Sequence, residues 1–198
     1  MLPVKLPALE DLDREDIERL KHLETMMGEL PANALLFTQI PGLPQAMFDL
    51  SQAILIPGDV GMELKWLVGH MSSRVAGCQF CTAHTAYNAA QMAGVGPEKS
   101  SKIWEFESDV IFSEAERAAL RLAAAAGFVP NAVDQSHFDE LHQYFNDKQI
   151  LELISVIAMF GFMNRWNDTL AIPLESGPLS YAKEHLKNSG WGSGKHEH

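Results

Sequence analysis

The sequence predicts an all-α protein that folds as a single domain. Ala, Leu, Met and Glu are plentiful, Val and Ile do not form alternating runs, and no strand-turn-strand pattern is present. The 198 residues match the usual size of one domain, and no linker divides them. We therefore expect one helical domain over residues 1–198, with its core at about 30–175.

Glycines and prolines divide the N-terminal half into separate helices. The first helix is predicted over about 9–27, after acidic residues and before Gly28. The next helices are predicted from Leu30 to the break at Pro41–Pro44, from there to about Ile54, over Met62–Ala76, over Cys78–Ala93 and over Pro97–Phe106, with turns at Pro57–Asp59 and at Gly77.

Capping residues mark the helices of the C-terminal half. Ser113–Glu116 has the pattern of a capping box and opens a helix that runs to Ala126. Asp134 or Ser136 caps a short helix to Phe145. Asp147 is predicted to cap the longest helix, 148–170, which Ile172-Pro173 ends. The segment 188–198 is rich in Gly, Ser and His, and we expect it to be flexible.

Charge and composition exclude several classes of function. The formal net charge is −11, so the surface repels phosphate backbones and we expect no nucleic-acid partner. No apolar run reaches the roughly 18–20 residues of a membrane span, so we expect no membrane partner. Residues 1–7 lack the long apolar stretch of a secretory signal, which leads us to expect a cytoplasmic protein.

The two cysteines, Cys78 and Cys81, form a C-x-x-C pair at a predicted helix start. Unpaired N–H groups and the helix dipole favour a thiolate there and can lower a thiol pKa. His84 lies one turn further on and could hold the thiol proton. Two vicinal thiols can also form a reversible disulfide, with one sulfur attacking and the other resolving.

Other interpretations of these residues remain open. The cysteines could be inert, buried apolar groups. A zinc site from Cys78, Cys81 and His84 would need a fourth ligand or a water, and the short spacing on one helix makes tetrahedral closure awkward. We therefore predict no metal and no cofactor. His185, His196 and His198 lie in a polar tail, where metal binding is only a compositional possibility.

Several segments resemble the carboxymuconolactone decarboxylase superfamily, in its branch of AhpD-like alkylhydroperoxidases. The segments are Leu64–Leu67 and Ser72–His84. The family pattern is a Glu on one helix, then Ser-x-x-x-Gly-Cys-x-Tyr-Cys, then a His. Phe80 stands where Tyr is usual. Phe160–Asp168 and Ile172–Glu175 resemble the end of the peroxidase-related members. The resemblance implies an AhpD-like helical bundle that forms homo-oligomers.

The resemblance also implies roles for the thiols. In the family the second cysteine, here Cys81, is activated by a proton relay through a Glu and a His, and the first, here Cys78, completes the disulfide. The disulfide is then reduced by a dithiol protein or a lipoyl-type partner. His84 lies one residue before the position of the relay His in the best-known members. Members that act as lactone decarboxylases lack the cysteine pair.

The relay Glu of the family has no counterpart here, because Trp66 occupies its position. His70 lies about one turn from Trp66 and about 40° around the helix axis, and Glu63 lies one turn to the other side. A neutral-range pKa suits His to proton exchange. We predict that His70 replaces the missing Glu, with Glu63 as the second choice.

These observations lead to a thiol-dependent peroxidase that reduces hydroperoxides through Cys81 and Cys78. The alternative is a thiol-disulfide oxidoreductase or redox sensor without peroxide turnover, and a third hypothesis is a structural helical oligomer with an inert pair. We also expect the segment 164–175 to lie near a subunit contact or at the rim of the active site.

Overall fold

The computed structural model describes residues 2–56 and 58–197, which form ten α-helices and no strand. The all-α fold class is confirmed. Met1, Pro57 and His198 lie outside the described residues, and so does part of the predicted turn at 57–59. The helices are α1 (Arg14–Met27), α2 (Ala32–Phe37), α3 (Leu43–Leu55), α4 (Met62–Val75), α5 (Gln79–Ala93), α6 (Pro97–Ser101), α7 (Glu114–Gly127), α8 (Gln135–Leu141), α9 (Asp147–Thr169) and α10 (Ser176–His185).

Side-chain caps fix the starts of the C-terminal helices. Ser113 and Glu116 form the predicted capping box at α7. Asp134 caps α8, as predicted. The cap of α9 is Asn146 rather than Asp147, because the Asn146 side chain accepts the backbone N–H three residues later. Local hydrogen bonds of this kind explain why the order of these helices can be predicted from the sequence.

Two parts of the helical arrangement differ from the prediction. Residues 9–11 form a short 3-10 helix, and α1 begins only at Arg14 because Asp13 caps it. The helix α10 follows Pro173 and was not predicted. It packs on α5, where its Ala182 is buried in one cluster with Ala83 and Ala86.

The core is built around α4, which packs on α5, α7 and α9. Leu67, Val68 and Met71 of α4 are fully buried. Gly69 allows the close approach of α9, because a Cβ at this position would lie 2.4 Å from the ring of Phe160. No helix formed by the described residues is both long and apolar enough to cross a membrane.

The C-terminal segment is packed against the core, so the expectation of a flexible tail at 188–198 is wrong for its described part, 188–197. Trp191 is buried, and its Nε1–H donates to the carbonyl of Gln79 at 3.0 Å. His196 is 1% exposed. Burial of these two rings outweighs the flexibility that Gly and Ser give to the segment, and it brings the tail to the first turn of α5.

Candidate active site

The two cysteines lie at the junction of α4 and α5. Gly77 has a φ of +73°, a left-handed conformation that favours glycine, and it turns the chain from one helix into the next. Cys78 is the N-cap of α5, and its Sγ accepts the backbone N–H of Cys81 at 3.2 Å. Both thiols are buried and neither forms a disulfide in this structure. One helical turn therefore holds them side by side.

The thiol of Cys81 is held by a side chain from α9. The Nδ2–H of Asn167 donates to Cys81 Sγ at 3.2 Å, and Asn167 is itself 1% exposed. Burial raises the pKa of the Cys81 thiol well above its usual value, and Cys78 raises it further, while the amide of Asn167 lowers it. The sequence indicated a lowered thiol pKa at this helix start; in the structure burial outweighs the helix N-terminus.

His84 forms a buried pair with Glu175. Its Nε2–H donates to Glu175 Oε2 at 2.6 Å, and its ring stacks on Phe80 with centroids 4.2 Å apart. Glu175 also accepts the backbone N–H of Ala32 at 2.9 Å. Burial raises the pKa of Glu175, but the hydrogen bond and charge of His84 and the N–H of Ala32 outweigh it, so the pKa lies below its usual value.

An apolar cavity of about 230 Å³ meets Cys81 and His84. Helices α1, α2, α3, α4, α5 and α9 contribute to its wall. Its large apolar lining side chains are Leu20, Leu23, Phe37, Met47, Phe48, Leu55, Trp66, Phe80, Met159, Phe160 and Met163. Trp66, at the position of the family's Glu, is thus part of the cavity wall. The cavity can hold a small apolar molecule against the sulfur of Cys81.

His70 lies elsewhere in the core than the sequence analysis predicts. Its Nε2 lies 3.2 Å from the carbonyl of Ser100, and its Nδ1 lies 2.9 Å from the hydroxyl oxygen of Thr85, which itself donates to the carbonyl of Cys81 at 2.7 Å. Burial, together with the positive charge of Arg74, lowers the pKa of His70 to about 3. Both ring nitrogens are bound to groups other than the thiols. The contacts of His70 thus join it to Ser100 and Thr85, and its role as the acceptor of a thiol proton stays a prediction.

Glu63 is also separated from the cysteines. Its side chain is 52% exposed and pairs with Lys99 at 3.1 Å, on the surface of α4. Lys99 in turn bonds to Glu116 of α7. Glu63 thus belongs to a surface ion-pair network, and its place as the second choice for the relay stays a prediction.

The structure adds partners that the sequence analysis missed. The segment 164–175 was expected at a subunit contact or the site rim, and it lies at the site. It contributes Asn167 to Cys81 and Glu175 to His84. It also places Asp168 within reach of His196. The only signal in the sequence was the resemblance of this segment to the C-terminal part of the family.

Comparisons with known proteins agree with this architecture. No protein-family model matches the chain. The solved structure of the debrominase Bmp8 is 31% identical, with a TM-score of 0.83, and the match covers 92% of this chain and 97% of that one. The AhpD core of an uncharacterized peroxidase-related protein from Ralstonia eutropha JMP134 has a TM-score of 0.79, covering 89% of this chain and 94% of that one. The chain belongs to the family of Bmp8 and has the fold of the AhpD-like proteins.

These and two further matches differ in sequence identity and therefore in what they establish about this chain. The Ralstonia eutropha protein is 17% identical, which establishes the shared fold alone. A cysteine-to-alanine variant of Bmp8 is known in complex with 2,3,4-tribromopyrrole, and it is 30% identical to this chain. The protein YnjA of Escherichia coli K12 is 29% identical over 108 residues. That match spans 53% of this chain and 59% of YnjA.

Proposed function

We propose that this AhpD-like protein is a thiol-based reductase of small apolar molecules that carry an electrophilic halogen or peroxide oxygen. Cys81 attacks the electrophilic atom and Cys78 then completes a disulfide. The observation that carries this proposal is the apolar cavity, because Cys81 and His84 both line it while Glu175 supports His84. The proposed redox chemistry needs an attacking sulfur, a resolving sulfur and a proton donor. Cys81, Cys78 and His84 can supply these three groups.

The lining of the cavity favours a neutral, ring-shaped substrate. Aromatic side chains and methionines offer stacking and sulfur–aromatic contacts to a flat molecule. An apolar protein cavity of about 150 Å³ is enough to bind benzene, so a cavity of about 230 Å³ accommodates a substituted single ring. The charged side chains of the lining, Asp16 and Arg19, are already paired with each other at 2.9 Å, so a charged substrate would lose its hydration and would have to compete with this pair.

Reductive removal of a halogen is the first candidate reaction. The Cys81 sulfur bonds to the halogen, and the electron pair of the carbon–halogen bond takes a proton, for which His84 is the donor in the cavity. Cys78 then displaces halide from the Cys81 sulfur. Two thiols and an aryl halide thus give a disulfide, the arene and hydrogen halide. The match to the debrominase Bmp8, at 31% sequence identity and covering 92% of this chain, supports this candidate.

Reduction of an organic hydroperoxide is the second candidate, and it uses the same groups. The Cys81 sulfur attacks the peroxide oxygen, the O–O bond breaks, and the departing alkoxide takes a proton. Cys78 then displaces water from the sulfenic acid of Cys81. Two thiols and a hydroperoxide give a disulfide, an alcohol and water. The shared fold with peroxidase-related proteins favours keeping this candidate beside the first.

In either reaction we assign the role of the family's relay Glu to Glu175 instead of His70 or Glu63. Its carboxylate binds His84 Nε2–H at 2.6 Å, which fixes the orientation of the ring and the position of its hydrogen. Asn167 positions the Cys81 sulfur. The disulfide product then requires an external dithiol, for which a dithiol or lipoyl-type protein is our proposed partner. A redox sensor without turnover would use the same disulfide.

The test is an assay of the reduced, full-length protein with two substrate classes in parallel. One reaction contains a polybrominated pyrrole or phenol, and the other an organic hydroperoxide, each with dithiothreitol as reductant. We expect release of bromide or loss of peroxide, and a protein mass lower by two hydrogens when the reductant is omitted.

Two cysteine variants complete this test. Cys81→Ser should abolish turnover, because no attacking sulfur remains in the cavity. Cys78→Ser should react once and then stop, because no sulfur resolves the oxidised Cys81. If neither substrate oxidises the wild-type pair, the reductase proposal is wrong. If the pair is oxidised but no substrate is turned over, the protein is a redox sensor.

A further inference from the structure

A second cluster of reactive side chains involves Cys78, which does not line the cavity. Cys78 Sγ, a carboxylate oxygen of Asp168 and a ring nitrogen of His196 all lie within 4.8 Å of one another. Asp168 belongs to the last turn of α9 and His196 to the packed C-terminal segment. Cys78 and His196 are buried, while the Asp168 side chain is 39% exposed and leaves the cluster accessible from solvent.

Each of these three side chains is already oriented by another group. The backbone N–H of Cys81 donates to Cys78 Sγ at 3.2 Å. His196 Nδ1–H donates to the carbonyl of Ile172 at 2.7 Å. Lys195 Nζ donates to the other oxygen of Asp168 at 2.8 Å. Metal ligands in proteins are held by outer partners of these kinds.

The contact between His196 and Asp168 brings two hydrogen-bond acceptors together, an arrangement that a cation would stabilise. The Ile172 carbonyl can only accept, so Nδ1 carries the hydrogen, and in the neutral ring Nε2 presents a lone pair. That nitrogen lies 3.3 Å from Asp168 Oδ1, which is also an acceptor. A divalent ion between these two atoms would accept a lone pair from each, and the Sγ of Cys78, within 4.8 Å of both, supplies a third ligand atom.

We propose that Cys78, Asp168 and His196 bind one zinc ion, with a water at the fourth position. Thiolate, imidazole and carboxylate together suit Zn²⁺. Bonds of about 2.0–2.3 Å at tetrahedral angles separate the ligand atoms by roughly 3.3–3.6 Å. The nitrogen–oxygen distance already has this value, and the sulfur needs to approach by at most about 1 Å from its 4.8 Å limit. The site differs from a chelate of the C-x-x-C pair, because Cys81 is not a ligand.

Zinc at this site would control the reactivity of the cysteine pair. A metal-bound Cys78 is withheld from the disulfide until the metal leaves, so zinc protects the thiols from oxidation. The binding itself does not depend on the proposed function, since it is measured without any substrate. Failure of one proposal is therefore distinguishable from failure of the other.

Cobalt(II) is the probe for the test, because its bond to a thiolate gives a charge-transfer absorption that reports sulfur ligation. The reduced, chelator-treated full chain should bind one Co²⁺ with this absorption, and one equivalent of Zn²⁺ should abolish it. Zinc should also slow formation of the disulfide by a thiol oxidant at least about tenfold. Absence of stoichiometric binding by the wild-type chain at micromolar concentration would overturn the proposal, and would leave a shared proton as the link between His196 and Asp168.

Matched variants identify the ligands. Cys78→Ser should remove the charge-transfer absorption, and Asp168→Asn and His196→Ala should each weaken Zn²⁺ affinity by at least about tenfold. Asp168 is partly exposed, so its variant keeps the fold even if His196→Ala loosens the tail. Cys81→Ser and His185→Ala are the controls and should retain the absorption. Loss of the absorption in Cys81→Ser together with unchanged affinity in Asp168→Asn would refute the proposed ligand set.

Discussion

The buried ring of His70 should make the free energy of unfolding depend on pH. Its pKa is about 3 in the folded protein, below the 6.5 of an ordinary histidine, because burial disfavours the charged ring and the positive charge of Arg74 disfavours it as well. The folded pKa is depressed, so stability is retained above about pH 6.5 and is lost as the pH falls toward 3. In the unfolded chain this side chain is about one quarter protonated at pH 7 and almost fully protonated at pH 5, so it takes up about 0.7 proton. At about 1.4 kcal/mol per pH unit, the integrated loss is about 2 kcal/mol.

The assay is urea unfolding followed by circular dichroism at pH 7, 6 and 5. The variant is His70→Gln, whose amide keeps a donor for the Ser100 carbonyl and does not titrate. From pH 7 to pH 5 the wild type should lose about 2 kcal/mol more stability than this variant. The control is Ser72→Ala, which removes a buried hydroxyl of the same helix and should lower stability equally at each pH.

Two results would refute the reasoning about His70. Equal pH dependence in wild type and His70→Gln would mean that the ring is protonated in the folded protein. A loss of turnover of about tenfold or more in His70→Gln, with normal stability at pH 7, would restore His70 as a proton carrier for the thiols.

Three further predictions follow from named contacts. Glu175→Gln should lower kcat with either substrate class at least about tenfold. The control is Glu29→Gln, because the Glu29 carboxylate bonds to Ser176 and Gly177 at the start of α10. Equal effects of the two variants on kcat would assign Glu175 a structural role. Gly69→Ala should lower the free energy of unfolding by about 1–3 kcal/mol, because the new Cβ would overlap the Phe160 ring. Gly161→Ala in α9 should raise it by about 0.5–1 kcal/mol, because a Cβ there would have no contact nearer than 3.7 Å. The same urea assay measures both variants. Light scattering should give the mass of a homo-oligomer, since an apolar groove between α2 and α9 remains open, and a monomer mass at micromolar concentration would contradict this.

The helices could be predicted from the sequence because their signals are local. The Ser113–Glu116 capping box and the glycine at 77 each act within a few residues, and the structure places helix boundaries there. The tail was misjudged for the opposite reason. Trp191 is buried by contacts with α5, and its hydrogen bond to Gln79 joins residues 112 positions apart. Composition alone cannot indicate such a contact.

The site was predicted only where its residues are neighbours in the sequence. Cys78, Cys81 and His84 share one helix, so their spacing identifies them. Glu175 lies 91 residues from His84, and no spacing rule relates the two. His70 was placed by its angle around α4, but that angle does not say which neighbouring helix covers the ring. In the structure Thr85 and Ser100 bind it, so burial decides its role.

The turn that follows α9 contributes contacts near both cysteines. These contacts differ, so the two adjacent thiols have different surroundings. Ala171 has a φ of +48°, a left-handed conformation that costs a non-glycine residue about 1–2 kcal/mol. The contacts around it offset that strain: on one side Glu175 binds His84 beside Cys81, and on the other the Ile172 carbonyl binds His196 near Cys78. Strain held in this way persists where the surroundings fix the conformation. The turn therefore holds His84 at the cavity through Glu175 and holds His196 near Cys78 through the Ile172 carbonyl, although one helical turn joins the two cysteines.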